Sequence, residues 1–323
     1  MKKNNNFWES KIENNSKGIK SPLSENIIYS NIKSEYYRPK KFNLILKEKI
    51  KQLINYYSAT PKLFYDKEID FGFFPRPSKK IMKNLYGNQN KNIKINIDAE
   101  INNAKSKSRI SSANFMYKWI ENEAKKINFN INNVLDYGAG SGWFSIFMSK
   151  LNLQVSVTDI FQEIMTVIPM IDKKIEIIPY ENLKDSMKYD LIVSFDVFEH
   201  LENPLDEIFK LKNHLTKKGL IFVSVPNFSS FFSKINLIKH PYFEYPSHLN
   251  YFTINSLDFL FKKAGMQVVN LETVTLDWEI EYISRGYNKK DINLTAYELL
   301  DKWSEPGNGE RCLCLAQKIE EEN

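Results

Sequence analysis

Asn133-Val134-Leu135-Asp136-Tyr137-Gly138-Ala139-Gly140-Ser141-Gly142-Trp143-Phe144-Ser145 is the stretch on which the reading of this chain turns. Val134 and Leu135 close a short apolar run that reads as a buried strand, and three alternating glycines follow. A helical spacing of apolar residues begins at Trp143 and continues through Phe144, Phe147, Met148 and Leu151. Strand, glycine turn and helix start make a ligand cradle at the carboxyl end of a parallel sheet. Without a Cβ, Gly138, Gly140 and Gly142 let the backbone turn sharply and let a ligand approach its N–H groups. Asp136 narrows the choice, because a carboxylate there meets a cationic or hydroxylated ligand and repels a pyrophosphate. The spacing Gly-x-Gly-x-Gly also departs from the Gly-x-Gly-x-x-Gly of dinucleotide sites.

From Val134 onward strand and helix patterns alternate, as in a doubly wound α/β sheet. Residues 154–159 read as the second strand, 174–178 as the third, 189–195 as the fourth and 220–225 as the fifth. A sixth starts at 267, and 311–317 would be the seventh. Helices are expected over 204–215 and 256–264, the latter stopped by Gly265. The apolar spacing of Phe115, Trp119, Ile120, Ala124 and Ile127 predicts a helix before the first strand. Asp159 ends the second strand about twenty residues after the glycines, where an acid accepts hydrogen bonds from ribose hydroxyls. The competing role for Asp159 is a loop acid or helix cap.

Leu135 to Gly142 resembles the nucleotide-binding motif of class I S-adenosylmethionine-dependent methyltransferases. Upstream, residues 71–78 (Phe-Gly-Phe-Phe-Pro-Arg-Pro-Ser), followed by Leu85 and Tyr86, resemble a lead-in found before the methyltransferase domain in a large bacterial group. A cysteine-rich zinc module often precedes that lead-in; residues 64–72 hold no cysteine, which excludes a zinc ribbon here. The likeness is close over 110–272 and loose over 310–319. It implies a Rossmann-like seven-stranded doubly wound sheet with an antiparallel last strand. It also implies S-adenosyl-L-methionine in the crevice, with Gly138 and Gly140 against the amino-acid end of the cofactor. Asp136, Ala139, Gly142, Ile160 and Asp196 would be further cofactor contacts, and Glu181, with Tyr180 beside it, would read the adenine.

The fourth strand runs into Phe195-Asp196-Val197-Phe198-Glu199-His200-Leu201. One helical turn over 196–200 would put Asp196, Glu199 and His200 on one face. His248 follows the fifth strand at the same end of the sheet. Two oxygen and two nitrogen ligands suit Mg²⁺, Mn²⁺ or Zn²⁺. The order acid-x-x-Glu-His, then His, is similar to the metal sites of ubiquinone-pathway O-methyltransferases and small-RNA 2′-O-methyltransferases. That resemblance implies a divalent cation on Asp196, Glu199, His200 and His248, with Asp standing first where those families have Glu. Without a metal, His200 is a candidate general base, with Glu199 and His248 as catalytic neighbours. The bland alternative makes Glu199 a cap and satisfies His200 with a backbone carbonyl. His214 reads as structural, and His240 as a loop residue able to face the acceptor.

The chain has 323 residues, net charge +6 and two cysteines, Cys312 and Cys314. The spacing of the thiols suits neither a disulfide nor, alone, a zinc site, so they read as core thiols in a reducing cytosol. No signal region or membrane-length apolar run appears, and a cytoplasmic protein is expected. Residues 1–60 hold 12 Lys/Arg against 5 Glu, but Lys and Asn abound throughout, and no strong nucleic-acid signal results. Residues 1–109 are expected to be a mainly helical extension, loosely ordered at its start, with a helix over 42–57 and a linker over 88–108. Residues 110–323 would form the catalytic domain, with acceptor-side insertions at 227–250 and 275–309. In the first insertion, Phe228, Phe231, Phe232, Tyr242, Phe243 and Tyr245 form a candidate lid or a local hydrophobic cluster. The expected activity is O-methylation of a small molecule or glycan precursor. N-methylation, a non-catalytic cofactor-binding scaffold and an NAD-dependent oxidoreductase remain alternatives.

Overall fold

The computed structural model describes residues 12–33, 62–76, 95–237, 240–244, 247–284 and 296–319. The main sheet has seven strands: β5 (Asn133–Tyr137), β6 (Gln154–Thr158), β7 (Glu176–Ile177), β8 (Tyr189–Phe195), β9 (Leu215–Pro226), β11 (Met266–Val274) and β12 (Arg311–Lys318). Their order is β11-β12-β9-β8-β5-β6-β7. β5 through β9 run parallel, and β12 pairs antiparallel with both β9 and β11. The order reverses between β5 and β8, which opens a crevice beyond their carboxyl ends. The expected seven-stranded doubly wound sheet with an antiparallel final strand is thus the observed one.

Burial on both faces explains why these strands are near-continuous apolar runs. In β8, Leu191, Val193 and Phe195 face one core with Val134, Phe144 and Phe222, while Ile192 faces the other with Leu135 and Ile221. Helices cover both faces: α1 (Ile97–Ala104), α2 (Lys107–Lys126), α3 (Trp143–Ser149), α4 (Gln162–Met165), α5 (Ile168–Ile171), α6 (Pro204–Asn213), α7 (Phe231–Asn236), α8 (Ile254–Lys263), α9 (Asp277–Ser284) and α10 (Ala296–Ser304). α2 begins at an Asn/Ser-rich stretch where Ser106 Oγ accepts the Arg109 N–H. The expected linker therefore contains α1 and the start of α2. Asn96 caps α1 by accepting the Ala99 N–H.

Of the extension's described residues, 12–33 and 62–76 are built on strands rather than helices, while 97–104 form α1 and 107–109 the start of α2. β1 (Ile12–Lys20), β2 (Ile27–Ile32), β3 (Phe64–Asp66) and β4 (Phe71–Phe73) join β10 (Asn250–Tyr251) in a second sheet ordered β1-β2-β3-β4-β10. Burial of Leu23, Ile32, Phe64, Phe71 and Phe73 orders this polar-looking segment. The helix expected over 42–57 lies outside the described residues. Gly72 lets β4 and β10 meet closely: a Cβ there would come within 3.0 Å of Phe228 and 3.2 Å of Tyr251 Cβ, and those side chains would have to give by a few tenths of an ångström. This second sheet thereby anchors the loop that carries His248.

Candidate active site

After β5 the chain turns through Gly138 (φ 79°), Gly140 (φ 54°) and Gly142 (φ 76°), all left-handed. A Cβ on Gly138 would lie 2.3 Å from Val197 Cγ2, whereas at Gly140 nothing lies within 4 Å. Gly140 is therefore the open side of the turn. The N–H groups expected to face a ligand are used internally. Those of Gly138 and Ala139 donate to the Thr158 carbonyl (2.9 and 3.2 Å), and that of Gly142 to the Ala139 carbonyl (2.9 Å). The Gly140 N–H donates to Asp159 Oδ2 at 2.9 Å, and the Phe161 N–H to Asp159 Oδ1 at 2.8 Å. The turn thus offers room more than donors. Asp136 is buried and accepts the Ser145 hydroxyl at 2.6 Å; burial pushes its pKa up to about 7. Ile160 is exposed at the end of β6, and exposed Glu181 accepts from Gln162 Nε2 at 2.9 Å.

Glu199, His200 and His248 come together at the carboxyl end of β8, with one ligand atom from each within 4.8 Å of the others. Phe198–His200 is a single 3-10 turn held from outside. Leu249 N–H donates to the Glu199 carbonyl at 2.7 Å, and Asn250 Nδ2 to the carbonyls of Phe198 (2.9 Å) and Leu201 (2.8 Å). Arg76, from the Pro-Arg-Pro-Ser lead-in, donates to Asn250 Oδ1 (2.5 Å) and to the carbonyls of Glu202 (2.7 Å) and Leu249 (3.2 Å). That arginine locks the loops around the turn; Pro77 and Ser78 lie outside the described residues.

The two imidazoles meet edge to face, with centroids 4.6 Å apart. His200 Nδ1 sits 2.8 Å from the Ser247 carbonyl, and His248 Nδ1 2.7 Å from the Tyr242 carbonyl. A carbonyl can only accept, so each Nδ1 carries the proton and each Nε2 presents a lone pair. Burial pushes both rings down, His248 to about 3 with His200 adding to the effect, so both are neutral at pH 7. Glu199 is 2% exposed, and neither carboxyl oxygen has a hydrogen-bond partner. Burial, then the charge of Asp196, holds this carboxyl well above the usual range. The bland expectation for His200 is met at Nδ1, but a capping role leaves the Glu199 carboxyl unexplained.

Asp196 does not join this cluster. Its φ of 55° breaks the helical turn expected over 196–200, which begins only at Phe198. Its carboxylate takes Arg311 Nη1 at 2.7 Å and Nη2 at 3.2 Å, a two-pronged ion pair. Arg311 Nε reaches Glu279 Oε1 at 2.7 Å, and Nη1 reaches Ser224 Oγ at 3.2 Å. Arg311 is buried, as is Glu279, and the two acids hold the guanidinium charged.

Over residues 104–271 the sequence matches the family described as "Methyltransferase domain". The chain belongs to that methyltransferase family. Among solved structures, the plantazolicin methyltransferase BpumL, in complex with a desmethylplantazolicin analogue and S-adenosylhomocysteine, is 17% identical; the alignment covers 69% of this chain and 89% of that one, with a TM-score of 0.47. An S-adenosylmethionine-dependent methyltransferase from Mesorhizobium loti is 12% identical, covering 60% of this chain and 95% of the other, with a TM-score of 0.42. Both likenesses are distant, and the family assignment rests on the domain match. No curated protein matches the sequence. Among the described residues, no helix of the methyltransferase is long and apolar enough to cross a membrane.

The methyltransferase's other two histidines are both buried and partnered. His214 is buried, with Nδ1 3.4 Å from the Met187 carbonyl, as expected. His240 does not face outward as a loop histidine would: it is 3% exposed, with Nε2 2.9 Å from Glu310 Oε2. Its Nδ1 accepts the Tyr242 N–H at 3.2 Å, so the backbone of Tyr242 is held at its N–H by His240 and at its carbonyl by His248. Of the insertion aromatics, Phe228 and Phe232 are fully packed, which favours the local-cluster reading for those two. Tyr245 lies outside the described residues. Arg311, Glu279 and Glu310 carry no signal in the sequence for these pairings, because the bonds Arg311–Glu279, His240–Glu310 and Arg311–Asp196 span 32, 70 and 115 residues.

Proposed function

We propose that this chain is an S-adenosylmethionine-dependent O-methyltransferase acting in the cytoplasm on a hydroxyl of a small molecule or glycan precursor. The observation that carries the reading is the buried, unpartnered Glu199 carboxyl flanked by two histidines that both present Nε2 beside the strand-order reversal. The open face at Gly140 leaves room for the cofactor, with the Asp159 carboxylate beside it on the Gly140 N–H. The acceptor hydroxyl oxygen attacks the cofactor methyl carbon, the carbon–sulfur bond breaks, and the hydroxyl proton passes to His200 Nε2. Holding oxygen, methyl and base in line accounts for most of what the protein must supply, since the sulfonium is already activated.

The same three side chains fit a divalent cation. Glu199, His200 and His248 would hold it, without Asp196, and it would supply Lewis acidity that lowers the acceptor hydroxyl pKa. Two lone-pair nitrogens and an unsatisfied carboxyl are the donor set such an ion takes. The test is transfer of radiolabelled methyl from S-adenosylmethionine to a panel of hydroxyl and amine acceptors, with and without chelator. Turnover on hydroxyls that is lost in His200→Ala supports the reading. Turnover unaffected by chelator and by His248→Ala removes the cation, and cofactor binding without turnover on any acceptor overturns the enzyme assignment.

A further inference from the structure

His240 and Glu310 lie outside the cluster of Glu199, His200 and His248, yet a chain of hydrogen bonds joins them to it. Glu310, at the entrance to β12, is 0% exposed. Its N–H donates to Thr275 Oγ1 at 3.1 Å, and its carbonyl accepts the Asn227 N–H at 2.9 Å, so its backbone is held on both sides. Its Oε1 accepts the Phe232 N–H (3.2 Å) and Trp303 Nε1 (2.9 Å), two groups that can only donate. Its Oε2 faces His240 Nε2 at 2.9 Å. Across that ring, Nδ1 meets the Tyr242 N–H at 3.2 Å, which again can only donate. His240 therefore carries its proton on Nε2 and a lone pair on Nδ1, the reverse of His200 and His248. The His240 carbonyl also accepts the Phe243 N–H at 2.9 Å. That N–H and the Tyr242 carbonyl belong to one planar peptide unit. Fixing the first aims the second, and it points at His248 Nδ1, 2.7 Å away.

We propose that Glu310 and His240 are positioning residues for His248: acting through the backbone of Tyr242, they keep the His248 proton on Nδ1 and its Nε2 lone pair turned to the acceptor. Which nitrogen of an imidazole carries the proton is set by the bond its other nitrogen makes. Here that bond is to a carbonyl whose direction a second histidine and a carboxylate hold. A His248 released from it is not confined to one tautomer. The effect on turnover rests on the methyl-transfer reading above, whereas the tautomers do not. The competing role is structural, a pair that merely ties α7 and α10 to the start of β12.

Three substitutions separate these by splitting the two ends of the ring. His240→Asn puts an amide oxygen where Nδ1 stood, keeping an acceptor for the Tyr242 N–H and losing the bond to Glu310. His240→Gln puts an amide N–H where Nε2 stood, keeping that bond and losing the acceptor. In Glu310→Gln the Phe232 and Trp303 donors claim the amide oxygen, so the amide nitrogen faces His240. His240 Nε2 must then accept, and its Nδ1 takes the proton and turns it against the Tyr242 N–H. The full chain is labelled with ¹⁵N-histidine, and long-range proton–nitrogen spectra at neutral pH read the tautomer of each of its four histidines. In wild type, Nε2–H is expected for His240 and Nδ1–H for His248. His248 should lose its single Nδ1–H form in Glu310→Gln and His240→Gln and keep it in His240→Asn. The kcat for methyl transfer should divide the same way, falling about tenfold or more in the first two and staying within about threefold in His240→Asn, with cofactor KM unchanged. A His248 that stays Nδ1–H in every variant overturns the proposal. So does a shifted tautomer with unchanged kcat, or a kcat that falls equally in both His240 variants along with the melting temperature. If wild type turns over no acceptor, the methyl-transfer reading has failed instead, and the spectra alone decide the positioning. The two His240 variants suffice if Glu310→Gln does not fold.

Discussion

Arg311→Met should be among the most damaging single substitutions at this site. Arg311 is 2% exposed, and its removal strands Glu279, which is 0% exposed, while Asp196 loses its two-pronged partner. Breaking a buried pair from one side costs about 3–5 kcal/mol, far more than the pair itself contributes over an apolar replacement. At about 2–4 °C per kcal/mol for a domain of this size, the melting temperature should fall by about 6–20 °C. Glu279 supplies a pH signature. Its carboxyl is already raised by burial, with Arg311 opposing, so without Arg311 it rises further. An acid whose folded pKa exceeds its unfolded value destabilises little below the unfolded value and increasingly as pH climbs towards the folded one. The loss in Arg311→Met should therefore be larger at pH 8 than at pH 5, and the double variant with Glu279→Gln should recover part of it at pH 8. Urea denaturation at both pH values measures this. A loss under about 1 kcal/mol, well below the range for one-sided removal of a buried charge, or one equal at both pH values, would refute the claim that the buried acid depends on Arg311.

The glycine turn gives a contrast between two alanines. Gly138→Ala meets Val197 at 2.3 Å and should destabilise by about 2 kcal/mol or more, from left-handed strain plus overlap. Gly140→Ala meets nothing within 4 Å, so it should cost only about 1 kcal/mol of backbone strain yet weaken S-adenosylhomocysteine binding tenfold or more; melts paired with calorimetry would expose the opposite pattern. Asp136→Asn should remove a penalty that is only about 0.5 kcal/mol near pH 4 and grows to about 4 kcal/mol by pH 7, because the buried carboxyl is pushed up to about 7. Parallel stability curves for wild type and Asp136→Asn from pH 4 to 8 would contradict this. Glu199→Met should raise the stability of chelator-treated protein by about 1–3 kcal/mol, since it deletes an unpartnered buried carboxyl, while abolishing methyl transfer. A destabilised variant would mean that the carboxyl has a partner in solution.

The main sheet was legible because burial on both faces writes strands as apolar runs. β8 was expected over 189–195 and is Tyr189–Phe195, and β12 extends the expected 311–317 by one residue. Helix ends were less exact where caps mix roles. α8 starts at Ile254 because Thr253 and Ser256 form a reciprocal capping box, two residues before the start expected from apolar spacing. The second sheet was hidden for a different reason: β4 pairs with β10 some 180 residues later, and nothing local announces that register. In the site, Glu199, His200 and His248 were visible as residue types, and the structure brings them together. The diversion of Asp196 to Arg311 was not visible, since neither its left-handed backbone nor a strand-end arginine leaves a pattern in sequence.

Calorimetric titration of the purified chain with S-adenosylhomocysteine and, separately, with NADH tests the central claim most directly. Saturable one-to-one binding of S-adenosylhomocysteine, persisting in chelator, with no heat from NADH, is the predicted result. Binding of NADH with none of S-adenosylhomocysteine would contradict it.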